Sequence, residues 1–165
     1  MIKAIKVVPL LPLKALAQAR DQKNPFAGLP WSLIAIASDD WGSGRTRLTA
    51  ENLNGLKACG MQETLSLVFG DISNEQEARG SNSRLFGVSD AILVLDFLDA
   101  MKKRQASEVL VVQCVAGISR SGAIGLFACD YVGFDKGVFA QLNPTINPNP
   151  HVSRILNEVR RMRTV

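Results

Sequence analysis

A cysteine and an arginine lie in one short stretch of the second half of the chain, with a spacing suited to chemistry on an anion. Cys114 comes just after the apolar run 109–112, which is typical of a buried strand, and Arg120 precedes the apolar pattern of 123–128, which is typical of a helix. Residues 114–120, here called the cysteine loop, therefore connect a strand to a helix. Such a loop directs backbone N–H groups into one concavity, where the helix dipole also favours an anion.

The chemistry expected of this loop is nucleophilic attack on a phosphate monoester. The N–H groups, the helix end and the Arg120 guanidinium all favour the thiolate form of Cys114, and thiolate is the nucleophile. The planar fork of Arg120 matches two phosphate oxygens. Gly117 allows the backbone to curl without a Cβ clash. The predicted phosphate-binding residues are Val115, Ala116, Gly117, Ile118, Ser119 and Arg120.

The elements around this loop alternate between strands and helices. Strands are predicted at 2–8, 31–37, 63–69 and 108–112, and helices at about 13–20, 50–57, 89–103, from the cysteine loop to 131, 135–142 and 151–163. This order predicts an α/β fold with a central, mostly parallel sheet of four to five strands and helices on both faces. Ligands bind at the carboxyl ends of such strands, and Cys114 and Asp71 both follow strand ends.

Composition limits the class of protein. The 165 residues suit a single domain over 1–165, and 47% hydrophobic with 21% charged residues indicates a globular chain. The net charge of +4 comes without a dense Lys/Arg block, so we expect no nucleic-acid partner. No apolar run is long enough to span a membrane, and the prolines and Lys14 near the N-terminus argue against a signal peptide.

Three cysteines without a C-x-x-C pattern argue against a disulfide framework and a zinc site, and favour a reducing cytoplasm. Cys129 is expected to lie buried on the inner face of the helix that follows the cysteine loop. The alternative is that Cys129 traps an oxidised Cys114 as a disulfide.

The segment from Cys114 to Ser121 resembles the active-site motif of the cysteine-dependent protein tyrosine phosphatase superfamily. The form Ala116-Gly117-Ile118-Ser119-Arg120-Ser121 is most similar to the dual-specificity branch and to small bacterial or phage-type members. Further similarity lies in Phe69-Gly70-Asp71-Ile72, in helix 89–103 and in Asn147-Pro148-Asn149-Pro150. The position of the motif in the second half of the chain disfavours the low-molecular-weight branch.

The resemblance implies a protein tyrosine phosphatase that works through a phosphocysteine intermediate. The thiolate of Cys114 attacks phosphorus, the loop N–H groups and Arg120 hold the phosphate oxygens, and Ser121 donates a hydrogen bond to the sulfur. Neither a cofactor nor a metal is implied. The implied partner is a phosphorylated protein or peptide, most of all phosphotyrosine with phosphoserine and phosphothreonine as further possibilities, and free phosphate or sulfate is expected to fit the loop.

The same mechanism needs a carboxylic acid on a separate loop, which protonates the leaving oxygen and then activates water. We assign this role to Asp71, which follows a predicted strand and begins the polar segment 73–86, itself expected to be mobile. Asp39 and Asp40 also follow a strand and are alternatives. Asp90 is better explained as a residue that stabilises a helix N-terminus.

One position departs from the family pattern, since Gln113 stands where the family usually has histidine before the cysteine. The Gln113 amide can still order the loop through hydrogen bonds, with weaker activity expected. Two other functions stay open, namely a rhodanese- or arsenate reductase-like enzyme, which needs no upstream acid, and a non-catalytic phosphoprotein-binding module. His151, the single histidine, is expected at the surface or as a helix cap. Loops 38–46, 70–86 and 143–150 are expected to set the pocket depth.

Overall fold

The computed structural model describes residues 1–21, 23–38, 46–74, 77, 79, 81, 83–104 and 106–163. Its strands are β1 (Ile2–Pro9), β2 (Trp31–Ala37), β3 (Met61–Val68) and β4 (Glu108–Cys114). Its helices are α1 (Leu10–Gln18), α2 (Ala50–Ala58), α3 (Val88–Lys103), α4 (Arg120–Val132), α5 (Lys136–Leu142) and α6 (Pro150–Arg163). Within this part of the chain, no helix has both the length and the apolar character that a membrane crossing needs.

The four strands form one parallel sheet in the order β1-β4-β2-β3. The predicted α/β fold with a parallel sheet and helices on both faces is therefore confirmed. Strand β4 lies between β1 and β2, so both of its edges are hydrogen bonded, as expected for the strand that carries the cysteine loop. Because all strands run the same way, Ala37, Val68 and Cys114 end at the same edge of the sheet.

The continuous apolar run of β4 is explained by burial of both faces of the sheet. Leu110 and Val112 belong to a core cluster with α3, α4, α5 and α6, whereas Val109 and Val111 pack in a second cluster with α1 and α2. Side chains alternate between the two faces of a strand, so a strand covered on both sides needs apolar residues at nearly every position. This double cover holds the end of β4, and with it Cys114, in a rigid frame.

Two helix starts differ from the predicted positions. Helix α1 begins at Leu10 rather than near residue 13, with Pro9 as its N-cap. Pro12 then lies within the first turn, where its missing N–H has no intrahelical partner in any case. Helix α3 begins at Val88 after Gly87, one residue before the predicted start at 89. The predicted role of Asp90 is confirmed, since its Oδ2 accepts a hydrogen bond from Gly87 N at 2.9 Å.

The prediction that His151 lies at the surface is wrong. Its side chain is buried in the first turn of α6, and Nε2 contacts the Phe86 carbonyl oxygen at 2.9 Å. The segment 73–86 was expected to be mobile, and residues 75, 76, 78, 80 and 82 of it lie outside the described part of the chain. Its end is packed, because Phe86 is buried with its ring 4.9 Å from that of Phe69.

A buried amide covers the open edge of β1. The Oδ1 of Asn143 accepts a hydrogen bond from Val7 N at 2.7 Å, and its Nδ2 donates to Ile5 O at 2.9 Å. In a parallel sheet, a residue of the neighbouring strand donates to the carbonyl of one residue and accepts from the N–H two residues further on. The Asn143 amide makes the same two bonds to β1. Asn143 thus completes the edge of the sheet and joins β1 to the end of α5, where Nδ2 also donates to Phe139 O.

We expect Asn143→Leu to lower the free energy of unfolding by about 2–4 kcal/mol, because it leaves a buried N–H and buried carbonyl groups without partners. Urea unfolding followed by circular dichroism measures this loss. The control is Asn157→Ala, which removes an exposed amide that donates to Ser153 O one turn away and should change stability by less than about 0.5 kcal/mol. An equally small effect for Asn143→Leu would show that the amide does not hold the edge.

Candidate active site

The cysteine loop lies at the carboxyl edge of the sheet, where three strands end side by side. Cys114 is the last residue of β4, and Arg120 is the first residue of α4. The Arg120 side chain extends to the ends of the neighbouring strands. Its Nη1 donates to Phe69 O just beyond β3 and to Ala37 O at the end of β2. The structure thus brings Cys114, Arg120 and the ends of β2 and β3 into one region, as expected for parallel strands that end at a common edge.

The backbone of the cysteine loop is held by hydrogen bonds that its carbonyl groups accept from the surrounding chain. Val115 O accepts from Leu10 N at 3.2 Å, Ile118 O accepts from Asn147 N at 3.2 Å, and Ser119 O accepts from Asn149 N at 3.2 Å. In a planar trans peptide the carbonyl and the next N–H point in opposite directions. The N–H groups that follow these three carbonyls are therefore directed into the loop, which makes an anion cradle.

Gly117 is required by this curl. Its φ of +69° lies in the left-handed region that side chains rarely adopt, and a Cβ at this position would come within 2.5 Å of Pro9 N and 2.7 Å of Val8 C. The Gly117 N–H points at the cysteine and donates to Cys114 Sγ at 3.3 Å. The role predicted for this glycine is confirmed, and the structure adds the close approach of β1 as its cause.

The sulfur of Cys114 lies at the base of the loop, and the residue is 1% exposed. Besides the Gly117 N–H, it contacts Ser121 Oγ at 3.0 Å. Both groups can donate to a thiolate, which stabilises the charged form of the sulfur. Cys59 and Cys129 lack such surroundings, and burial raises the pKa of both thiols.

Arg120 is a buried cation with donors available for a ligand. Its side chain is buried in the region of the strand ends, and its Nε, which has no hydrogen-bond partner among the described residues, lies 3.9 Å from Asp71 Oδ2. A buried donor without a partner is costly, so an anion in the cradle would be stabilised by completing its bonds. This arrangement suits the oxygens of a phosphate or sulfate.

Asp71 lies beside the cysteine loop and is partly exposed, with 43% of its side chain accessible. Its Oδ1 accepts hydrogen bonds from Ser119 Oγ at 2.8 Å and from Asn149 Nδ2 at 2.9 Å. The residue before it, Gly70, is fixed by a hydrogen bond from its N–H to Arg84 O at 2.9 Å. The structure therefore brings a carboxylate with solvent access next to a buried thiol and guanidinium.

Two of these contacts were not foreseen from the sequence. Ser119 was expected to contribute only its backbone, yet its hydroxyl donates to Asp71. Asn149 belongs to the stretch Asn147-Pro148-Asn149-Pro150, whose similarity to the family assigns no contact to it, yet its amide donates to the same carboxylate. That similarity and the expected position of loop 143–150 at the pocket are the available signals, and neither specifies a bond to Asp71.

The other candidate residues lie elsewhere or outside the described chain. Asp39 and Asp40 fall outside the described residues. The Asp90 carboxylate is paired with the Arg84 guanidinium at 2.6 Å and belongs to the start of α3. The Cys129 Sγ contacts Phe134 O at 3.3 Å within the core.

Gln113 does not order the cysteine loop through its amide nitrogen. It is 1% exposed and lines a cavity of about 240 Å³ on the α2 side of the sheet, because adjacent strand residues face opposite sides. Its Nε2 has no hydrogen-bond partner among the described residues. The order of the loop comes instead from the backbone contacts described above.

Comparisons with known proteins bear on the fold. No family model matches the chain, and no curated protein is similar to it in sequence. Among solved structures, the chain is similar to the crystal structure of Tk-PTP in the active form, whose name denotes a protein tyrosine phosphatase. The TM-score is 0.54 at 12% identity, and the match covers 95% of this chain and 90% of that one. The chain thus has a protein tyrosine phosphatase-like fold.

We expect iodoacetate to alkylate Cys114 in preference to Cys59 and Cys129, because the anion cradle can bind the carboxylate of the reagent beside the Cys114 sulfur. The loop N–H groups and Ser121 favour its thiolate, whereas burial keeps Cys59 and Cys129 as thiols. Mass spectrometry of peptides identifies the labelled residue. Inorganic phosphate or arsenate should slow the labelling by occupying the cradle, and Cys114→Ser should remain unlabelled. Equal labelling of all three cysteines would contradict the geometry described here.

Proposed function

We propose that this protein is a cysteine-dependent phosphatase that hydrolyses phosphate monoesters through a phosphocysteine intermediate. The observation that carries the proposal is the convergence of the Cys114 sulfur, the buried Arg120 guanidinium and the Asp71 carboxylate at one edge of the sheet. The similarity in fold to a protein tyrosine phosphatase supports the same reading. Neither a metal nor a cofactor takes part in the proposed steps.

In the first step, the thiolate of Cys114 attacks phosphorus in line with the leaving oxygen. The S–P bond forms as the P–O bond to the leaving group breaks. The inward N–H groups of the cysteine loop and the Arg120 side chain bind the three equatorial oxygens, on which charge rearranges. Asp71 in its protonated form gives its proton to the leaving oxygen, which departs as an alcohol or phenol.

In the second step, water hydrolyses the phosphocysteine. The carboxylate of Asp71 takes a proton from the water as its oxygen attacks phosphorus, and the S–P bond breaks with the electron pair on sulfur. The hydroxyl of Ser121, 3.0 Å from Sγ, stabilises the departing thiolate together with Gly117 N–H. Phosphate then leaves the cradle, and the enzyme returns to its first state.

Phosphotyrosine in a protein or peptide is the proposed substrate, with phosphoserine and phosphothreonine as further substrates of a dual-specificity-like enzyme. Two apolar side chains of the cysteine loop, Val115 and Ile118, are 39% and 40% exposed at its rim. Exposed apolar groups beside the phosphate cradle can pack against an aromatic ring. The loop interior carries no lysine, which is a feature against a polyanionic lipid head group.

The position of Asp71 favours a phosphatase over the two other functions considered. A sulfurtransferase or arsenate reductase needs no general acid beside its anion loop. A binding module needs neither a general acid such as Asp71 nor a nucleophile such as Cys114. We further propose that the protein works in the cytoplasm, since all three cysteines are free thiols.

The wild-type protein is expected to release a burst of p-nitrophenol from p-nitrophenyl phosphate, equal in amount to the enzyme, when phosphocysteine hydrolysis is slower than its formation. Cys114→Ser should abolish both the burst and turnover, whereas Cys129→Ser should retain them. Rapid-quench kinetics and trapping of phosphoenzyme make the measurement. Values of kcat/KM on matched phosphotyrosine, phosphoserine and phosphothreonine peptides then give the substrate class. Turnover that persists in Cys114→Ser would refute the proposal.

Asp71→Asn is expected to lower kcat/KM by about 10²–10⁴-fold for phenyl phosphate, whose leaving group is a poor one that needs a proton. The loss should be much smaller for p-nitrophenyl phosphate, because p-nitrophenolate leaves without help. Steady-state kinetics with both esters measure the difference. Asp130→Asn, which alters a carboxylate paired with Lys136 and Arg160 on the surface, is the control and should leave both values unchanged. Unaltered hydrolysis by Asp71→Asn would favour an enzyme that uses no general acid.

A further inference from the structure

Asn149 is a buried polar residue that joins three parts of the candidate site. It is 3% exposed and precedes α6 directly. Its backbone N–H donates to Ser119 O in the cysteine loop, and its Nδ2 donates to Asp71 Oδ1 at 2.9 Å and to Ile72 O at 3.2 Å. Its Oδ1 accepts from Val152 N at 3.1 Å and so caps α6. The side chain of Asn149 thus ties the carboxylate loop to a helix, and its backbone N–H adds a bond to the cysteine loop.

The contacts of Asp71 distinguish its two oxygens. Oδ1 accepts from both Asn149 Nδ2 and Ser119 Oγ, which together use the two lone pairs of that oxygen. Oδ2 faces Arg120 Nε at 3.9 Å, on the side of the phosphate cradle. In the protonated form of this carboxyl group, the proton therefore lies on Oδ2, and the same oxygen is the one free to accept a proton from water.

We propose that Asn149 is a positioning residue for the general acid, in that it holds the Asp71 carboxyl group so that Oδ2 faces the leaving oxygen. The inference rests on the proposed phosphatase function and deepens it. The carboxyl group is partly exposed and would otherwise rotate about its χ angles, and each misplaced rotamer moves the proton away from the cradle. The Asn149 amide restrains this rotation, because its Oδ1 is itself fixed by the hydrogen bond from Val152 N at the start of α6.

Two substitutions separate this role from the capping of α6. Asn149→Leu has nearly the same shape but removes both the donor to Asp71 and the cap. Asn149→Asp keeps an acceptor for Val152 N, since aspartate is as good an N-cap as asparagine, yet it has no donor for Asp71 or Ile72 O. Both variants should lose the positioning of Asp71, while only Asn149→Leu should lose the cap.

The measurement is kcat/KM for phenyl phosphate and p-nitrophenyl phosphate, expressed as the ratio of the second to the first. We expect this ratio to rise about tenfold in Asn149→Leu and in Asn149→Asp, since a hydrogen bond to a carboxylate is lost and only the poor leaving group depends on the acid. In the double variant Asp71→Asn/Asn149→Leu, the ratio should equal that of Asp71→Asn alone, because the two residues act as one unit.

The matched control is Asn143→Leu, which also removes a buried amide but lies at the open edge of β1. It should lower Tm and leave the ratio of the two esters at the wild-type value. Alkylation of Cys114 at the wild-type rate shows that the cysteine loop of each Asn149 variant is intact. A purely structural role for Asn149 would lower kcat/KM for both esters by the same factor, and this result would overturn the proposal.

The failure of the positioning role can be told apart from failure of the proposed function. A wild-type protein that hydrolyses both esters, with Asn149 variants whose ratio is unchanged, overturns the role of Asn149 alone. The role of Asn149 is also overturned if the ratio in the double variant rises by the product of the two single effects, because the two side chains would then act independently. A wild-type protein that hydrolyses neither ester overturns the phosphatase function, and with it the role of Asn149.

Discussion

The site depends on the outward hydrogen bonds of the cysteine loop. Each loop carbonyl that accepts from Leu10, Asn147 or Asn149 turns the following N–H inward, so the anion cradle is built by contacts outside it. These donors come from the start of α1 and from the stretch before α6, which lie far apart in sequence. The loop is thus held from two sides, and the approach of β1 leaves room only for a glycine at position 117.

The electrostatics of the site follow from the burial of a cation at this edge. Arg120 is 4% exposed, and the carbonyl groups of Ala37 and Phe69 satisfy only part of its donor capacity. Its orphan Nε and the inward N–H groups make a region of positive potential in which a thiolate or a phosphate is the natural counterion. Asp71 meets this region from the solvent side, whereas the Cys114 side chain lies buried at its base.

The elements that were predicted well are those with a strong local cause. Strands β2 and β4 lie where the sequence predicts them, because burial on both faces demands a continuous apolar run. Helix α2 also begins at the predicted residue, where the structure shows Thr49 as its N-cap within a capping box. The errors fell on positions where packing outweighs local preference. Helix α1 is predicted from about residue 13 but begins at Leu10, and His151 is expected at the surface or as a helix cap, whereas α6 packs it against Phe86.

The sequence by itself determined the chemistry of the cysteine loop, because a strand, a sharp turn and a helix start are local features and the spacing of Cys114, Gly117 and Arg120 lies within one of them. It also indicated Asp71, since parallel strands end at a common edge. Only the tertiary structure decided how that carboxyl group is held. Asn149 is 78 residues from Asp71, and no local pattern records a contact between two loops that meet only when α6 packs on the sheet. The orientation of the proposed acid is therefore a property of the folded chain, whereas the proposed nucleophile can be identified from the local sequence.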